Sequence, residues 1–155
     1  MSRASEASGT HLWLVLMKAR RALARHATRS IEAAGIGLSD FATLELLLHK
    51  GPQPVNEIGR RIDLTSVSIT SAVDRLEKRG LVARELDPND RRARIVRLTP
   101  EGEAMIRGVF ADHKAVMDHA AGGLSKAERA TLIDLLKKLG ISAEERIEAR
   151  GHDHD

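Results

Sequence analysis

Hydrophobic and polar positions alternate along this chain mostly with a helical period. From about residue 10 to 34 the segment opened by HLWLVLMKARRALARH predicts a long helix, ended by Gly35 and Gly37. Its run from Leu12 to Met17 is apolar on every side, more than one buried face requires, and this suggests burial against a second chain. A helix then begins at Leu38 or Ser39, runs through FATLELLLHK and stops at Gly51-Pro52. Pro54 sits where a first helical turn tolerates it and opens VNEIGRRI. Thr65 is placed to cap TSVSITSAVDRLEKR, and Gly80 to end it. The period changes at LVARELD and ARIVRLT, which read as two short strands around a Pro88-Asn89-Asp90 turn. Thr99-Pro100-Glu101 starts a helix to about Ala120, broken by Gly122-Gly123. Ser125 and Glu128 have the spacing of a capping box for a last helix, where Leu132, Leu135, Leu136 and Leu139 recur at helical spacing. The expected fold is mainly α with a small β-hairpin.

Composition narrows the class. The 155 residues fit one domain; 42% are apolar and 30% charged, as in ordinary soluble proteins. Aromatics are only 2%, so the core must be aliphatic. The absence of cysteine excludes disulfides, thiol redox sensing and cysteine-ligated zinc. The longest apolar run is six residues, far short of a membrane span, and MSRASEASGTH has no hydrophobic signal core. Both features lead to the expectation of a cytoplasmic protein without a membrane partner. The net charge of +3 is unevenly spread. Residues 1–53 hold 7 Lys+Arg against 4 Asp+Glu, residues 54–99 hold 10 against 7, and residues 100–155 hold 8 against 11. Such asymmetry suits a protein that turns one face to a polyanion.

The centre of the chain is a short helix, a tight turn, a second helix and a two-stranded ribbon. Ile69, Ala72, Val73 and Leu76 fall at i, i+3, i+4 and i+7, so one stripe of the second helix is buried. Ser66, Ser68, Ser71, Arg75, Lys78 and Arg79 remain outward. Taken alone this is a solvated polar face. Small hydroxyls followed by cations are also what a groove-entering helix needs, because short side chains allow close approach to base edges. The ribbon tips the balance. It carries Arg91, Arg92, Arg94 and Arg97, with Arg84 just upstream. A hairpin tip beyond such a helix can reach the neighbouring minor groove, whose negative potential attracts an inserted arginine. Asp90 at the turn is placed to hold an adjacent guanidinium.

The array LTSVSITSAVDRLEKRGLVARELDPNDRRARIVRLTPEG resembles the winged helix-turn-helix of the multiple-antibiotic-resistance-regulator (MarR) family. Asp90, Arg92, Leu98 and Thr99 match its wing signature, preceded by Leu76-Glu77 and Gly80-Leu81-Val82. The resemblance implies a single domain over residues 1–155, with a winged helix-turn-helix lobe at 38–99 and dimerisation helices at 10–34 and 100–147. It implies a homodimeric transcription factor, usually a repressor, on the double-stranded DNA of a pseudo-palindromic operator. Thr65, Ser66, Ser68 and Ser71 would then face major-groove edges, Arg75 would meet phosphate and Arg92 would enter the minor groove. Arg91 and Arg94 would contact DNA backbone or water.

The resemblance further implies release by a small molecule, often an aromatic carboxylate, bound between the dimer helices and the winged lobe. Trp13, Met17, Arg20 and His49 suit such a pocket by type. Trp13 and Met17 equally suit a dimer core, and His49 a helix-dipole interaction. His113 and His119, six apart on one helix, share no metal-binding face; the HDHD tail at 152–155 reads as a frayed terminus before it reads as a chelator. No metal or other cofactor is expected. There is no phosphate loop, nucleophile elbow or His-Glu-x-x-His pattern, so an enzyme is not expected. The rival class is a non-specific architectural DNA-binding protein, which the modest net charge disfavours. A winged-helix module binding protein is a third, which the wing arginines disfavour.

Overall fold

A computed structural model describes residues 7–152. They form two compact units divided after Met117.

The first unit opens with α1 (Gly9–Ala33), capped by the Ser8 hydroxyl, which accepts the His11 N–H. It is exposed along most of its length, with Ile31 buried near its end. Helix α2 (Leu38–Lys50) follows, burying Phe41, Leu44 and Leu47. Next come strand β1 (Gln53–Pro54), the short α3 (Val55–Arg61) and α4 (Ser66–Lys78). The ribbon is β2 (Val82–Asp87) and β3 (Asp90–Leu98), and α5 (Pro100–Ala120) leaves from its base. One aliphatic core joins these elements: Leu44, Ile58, Ile69, Val73, Leu76, Val96 and Ile106 are almost fully excluded from solvent.

The sheet has three strands in the order β1-β3-β2, not the two expected. Gln53 pairs with Val96 and Pro54 with Ile95, antiparallel. Pro54 therefore ends an edge strand and stands at the N-cap of α3 rather than inside its first turn. An edge strand tolerates proline because no partner needs its missing N–H.

Two residues set the path between α4 and α5. Gly80, at φ +71°, takes the left-handed conformation that ends α4 and starts β2. Gly102 lies so close to Leu81 that a Cβ on it would be 1.8 Å from the Leu81 carbonyl oxygen. Thr99 completes this junction: its hydroxyl donates to the Gly80 carbonyl (2.6 Å) and accepts the Gly102 N–H (3.0 Å).

The second unit holds the end of α5 and α6 (Lys126–His152). The expected capping box is present: Ser125 N–H donates to Glu128 (2.8 Å) and Glu128 N–H to the Ser125 hydroxyl (3.1 Å). Helix α6 leaves Leu132, Ile133, Leu135, Leu136, Leu139, Ile141 and Ile147 exposed.

Candidate nucleic-acid interface

Helices α3 and α4 cross closely. A Cβ on Gly59 would stand 3.0 Å from Ile69 Cγ2 and 3.2 Å from the Leu64 carbonyl, so only a residue without a side chain fits comfortably. The turn between them uses Asp63 at φ +56°, a conformation aspartate tolerates better than most residues. Thr65 then caps α4, its hydroxyl accepting the Ser68 N–H at 3.1 Å.

Opposite the buried stripe of Ile69, Ala72, Val73 and Leu76, the first turns of α4 expose Ser66, Val67, Ser68, Thr70 and Ser71. The hydroxyls are not equivalent. Thr65 donates to Ser68 Oγ (2.9 Å) and Thr70 donates to the Ser66 carbonyl (2.7 Å), so those groups are held within the helix. Among the described residues, the Ser66 and Ser71 hydroxyls have no hydrogen-bond partner. The helix also exposes Val67 and Thr70, beyond the serines and cations expected from the sequence. The helical wheel carries both.

The arginines divide into two groups. Arg75, expected as a phosphate contact, forms an ion pair with Asp40 of α2 (2.7 Å) and also donates to Ser39 (3.3 Å). Asp40 is buried and Arg75 half exposed. The hydrogen bond that Arg75 donates to Asp40 raises the Arg75 pKa, against a smaller opposing effect of burial. Arg84 lies between Asp74 (2.5 Å) and Glu77 (3.0 Å) of α4. Burial pulls its pKa down, but the hydrogen bonds and charges of the two carboxylates outweigh this and leave it raised. Arg97 reaches Glu85 across the ribbon (2.5 Å). These three guanidinium groups fasten α4 and the ribbon in place.

Arg91, Arg92 and Arg94 are different: among the described residues their side chains have no hydrogen bond or ion pair. Strand β3 starts at Asp90, leaving only Pro88 and Asn89 between Asp87 and its partner Asp90, so all three lie along the strand. The register shifts between Leu86, paired with Arg94, and Asp87, paired with Asp90, so Arg91, Arg92 and Ala93 bulge from the ladder; Arg92 and Arg94 border the cavity beside α4 and Arg91 does not. Asp90 does not hold a guanidinium. Its carboxylate accepts the backbone N–H of Arg92 (2.9 Å), and Asp87 likewise accepts that of Asn89 (2.8 Å). Two such Asx turns stiffen the tip through its backbone. Between α3, α4 and this ribbon lies an open cavity of roughly 530 Å³, lined by Asn56, Ser66, Thr70, Arg84, Arg92 and Arg94 among others. Hydroxyls and unpaired cations thus converge on one concave surface, which suits a phosphate backbone and base edges.

The four residues expected to line an effector pocket lie on two helices, Trp13, Met17 and Arg20 on α1 and His49 on α2. His49 packs edge-on against Phe110 of α5 (centroids 4.8 Å apart), its Nδ1–H donating to the Glu45 carbonyl at 2.9 Å. Trp13 is 59% exposed, Arg20 is exposed and Met17 half-buried, all on α1. The cavities at the α4–ribbon junction, along Arg21–Arg29 and beside Gly51–Pro52 are lined by other residues. His113 shares a hydrogen bond with Ser30 (3.2 Å) and packs on Phe41 (4.9 Å), an inter-helix role its sequence position did not disclose. Among the described residues, no group of three or more His, Asp or Glu is arranged to hold a metal ion. Of the His-Asp tail, residues 153–155 lie outside the described residues, and the side chain of His152 with them. No helix among the described residues is long and apolar enough to cross a membrane.

Comparison with known proteins agrees with this geometry. The MarR family model matches residues 36–93, the span from the end of α1 into the wing. The helix-turn-helix transcriptional regulator MhqR of Bacillus subtilis is 38% identical over 134 residues, 86% of this chain and 92% of that protein. A crystal structure of a transcriptional regulator from Pseudomonas aeruginosa superposes with a TM-score of 0.71 at 33% identity, over 81% of this chain and 94% of that one. BpsR of Bordetella bronchiseptica, whose DNA binding is regulated by 6-hydroxynicotinic acid, has a TM-score of 0.73 at 25% identity, over 87% and 94%. With its winged helix-turn-helix and these relatives, the chain belongs to the MarR family of DNA-binding transcriptional regulators and is not an enzyme.

Proposed function

We propose that this protein is a cytoplasmic homodimeric repressor that binds a pseudo-palindromic operator and leaves it when a small aromatic acid binds. The observation that carries the DNA-reading part is the division of the arginines. Arg84, Arg75 and Arg97 have partners within the chain, whereas Arg91, Arg92 and Arg94 have none among the described residues. Charged side chains held on a stiffened ribbon beside a hydroxyl-rich helix N-terminus are arranged for a polyanion with grooves. In this reading Ser66 and Ser71 meet major-groove edges. Arg92 enters the minor groove, Arg91 and Arg94 track the backbone, and Thr65 and Ser68 shape the helix start. Arg75 meets phosphate while tethered to Asp40.

The dimer is supported by the apolar surface that α1 and α6 leave open, including Leu12, Trp13, Leu14 and Val15 on one and Leu135 and Ile141 on the other. Covering such surface with a second copy removes it from water and spaces two α4 helices for two half-sites. The effector is supported by the likeness to BpsR. Within one chain His49, beside Phe110, is the part of the expected pocket that lies between helices, while Trp13, Met17 and Arg20 belong with the dimer surface.

The test is binding of the full chain to the promoter region beside its own gene. Fluorescence anisotropy at several salt concentrations would compare that duplex with a scrambled one, with and without 6-hydroxynicotinic acid and related aromatic acids. Specific binding at least about a thousandfold tighter than scrambled is expected. Equal affinity for both duplexes would replace the operator reading with an architectural one.

A further inference from the structure

Val67 stands out on the exposed face of α4. At 77% exposure it is the most exposed of the large hydrophobic side chains among the described residues. A β-branched residue in the first helical turn lowers helix propensity, and here it packs against no core. On the helical wheel, the buried stripe centres between Ile69 and Leu76, and Val67 falls almost opposite that centre. It therefore occupies the apex that a groove-entering helix brings nearest to the base pairs. The apex carries a dimethyl group rather than a donor or acceptor.

Its surroundings reinforce that character. Ser68 Oγ accepts the Thr65 hydroxyl, and Thr70 donates its hydroxyl proton to the Ser66 carbonyl, so both groups are already engaged within the helix. Farther along the same face, Asp74 is neutralised by Arg84 (2.5 Å). The leading edge of α4 is thus an apolar point flanked by the free hydroxyls of Ser66 and Ser71. In the major groove only one base presents an apolar group: thymine, through its C5 methyl.

We propose that Val67 is a specificity-determining residue that reads a thymine methyl in each half-site. The inference rests on the proposed operator reading, in which α4 enters the major groove. The Val67 methyls and the thymine methyl exclude water from each other, while Ser66 and Ser71 bond neighbouring base edges. Cytosine at that position offers no methyl, and its amino group would lose water to an apolar surface without gaining a partner.

The experiment begins with the full chain and a randomised duplex pool, from which its preferred site is selected. Each thymine of that site is then replaced singly by uracil, which removes only the methyl group. For the parent protein, one thymine per half-site should cost roughly three- to tenfold in affinity when replaced, the scale of one buried methyl or methylene. Val67→Ala should bind the unmodified site weaker by a similar factor for each half-site, roughly ten- to hundredfold for the dimer, and lose nothing more when that thymine becomes uracil. Alanine favours helix more than valine, so weakened α4 cannot account for such a loss. Val67→Thr, close in shape with one methyl retained, should keep part of the discrimination. If Val67→Ala keeps the full thymine-to-uracil penalty at every position, the inference is wrong while the operator reading stands. If the parent selects no preferred site, the operator reading fails and the inference fails with it.

Discussion

Arg75 Nη2 lies 2.7 Å from Oδ1 of Asp40, tying the second half of α4 to the first turn of α2. The Asp40 side chain is buried, 8% exposed, whereas that of Arg75 is still 52% exposed. One residue thus serves two sides: it satisfies a buried charge and keeps a donor face open to solvent. Helix α4, proposed to enter the major groove, is held in its angle by a group whose outer face stays open to solvent.

Arg75→Ala should therefore cost stability as well as affinity. Leaving the buried Asp40 carboxylate without its partner is expected to cost about 1–3 kcal/mol in urea unfolding. Both Arg75 and Arg84 are held above the ordinary arginine range. Their contribution is accordingly present at neutral pH and, on the arginine side, fades only in strong alkali. A stability profile flat in this contribution from neutral pH to pH 10 is expected. An unfolding midpoint for Arg75→Ala equal to the parent's would refute the tether.

Gly102→Ala should be severe for a conservative change. The new Cβ would meet the Leu81 carbonyl oxygen at 1.8 Å, and that obstacle is backbone, which cannot rotate away. A loss of about 3 kcal/mol or more is expected from such overpacking. Gly108→Ala, at a helical glycine with open space around it, is the control and should be neutral or slightly stabilising. Comparing the denaturant midpoints of the two variants checks this.

Arg92→Ala should cost roughly 1–3 kcal/mol per half-site, about five- to 150-fold, and reduce the A·T preference beside each half-site. Its guanidinium has no partner among the described residues, so fold and dimer state should survive. Isotherms on the promoter duplex and on variants with G·C flanks would measure it. Undiminished binding would remove the wing from the reading surface.

Arg84→Ala should weaken DNA binding from a distance. Without it, Asp74 and Glu77 become unneutralised carboxylates on the helix proposed to approach phosphates. The expected loss is several-fold on both specific and scrambled duplexes at low salt, shrinking as salt screens the repulsion. Restoration of affinity by Asp74→Asn in the same chain would identify the cause as charge.

Leu135→Asp with Leu136→Asp should unfold or monomerise the protein if α6 is dimer surface, since charges would be buried without partners. Both leucines are exposed in the single chain. Sedimentation should show a dimer for the parent at micromolar concentration and none for the variant. A stable parent monomer there would refute the proposed dimer.

Much of this molecule is local in origin and could be read from residue order alone. The stripe of Ile69, Ala72, Val73 and Leu76, the Thr65 cap, the Ser125–Glu128 box and the stop at Gly80 each depend on spacings of four residues or fewer between neighbours. Periodicity and capping act over such distances, which is why the elements and their order were legible. The family likeness of the wing was legible for the same reason, as a short run of residues. What tertiary structure alone decided is which charges are free. Arg75 meets Asp40 across 35 positions, and Arg84 meets Asp74 across 10. Arg97 meets Glu85 across 12. A charge pattern along the chain does not say which of many carboxylates folding will bring within 3 Å of a guanidinium. The short β1 has no signature in the sequence for a related reason: two residues have no periodicity, and Gln53 and Pro54 become a strand only because β3 offers them an edge. Val67 is the opposite case. Its place opposite the buried stripe follows from helical geometry, yet its meaning depends on the surrounding hydroxyls, whose partners only the folded chain assigns.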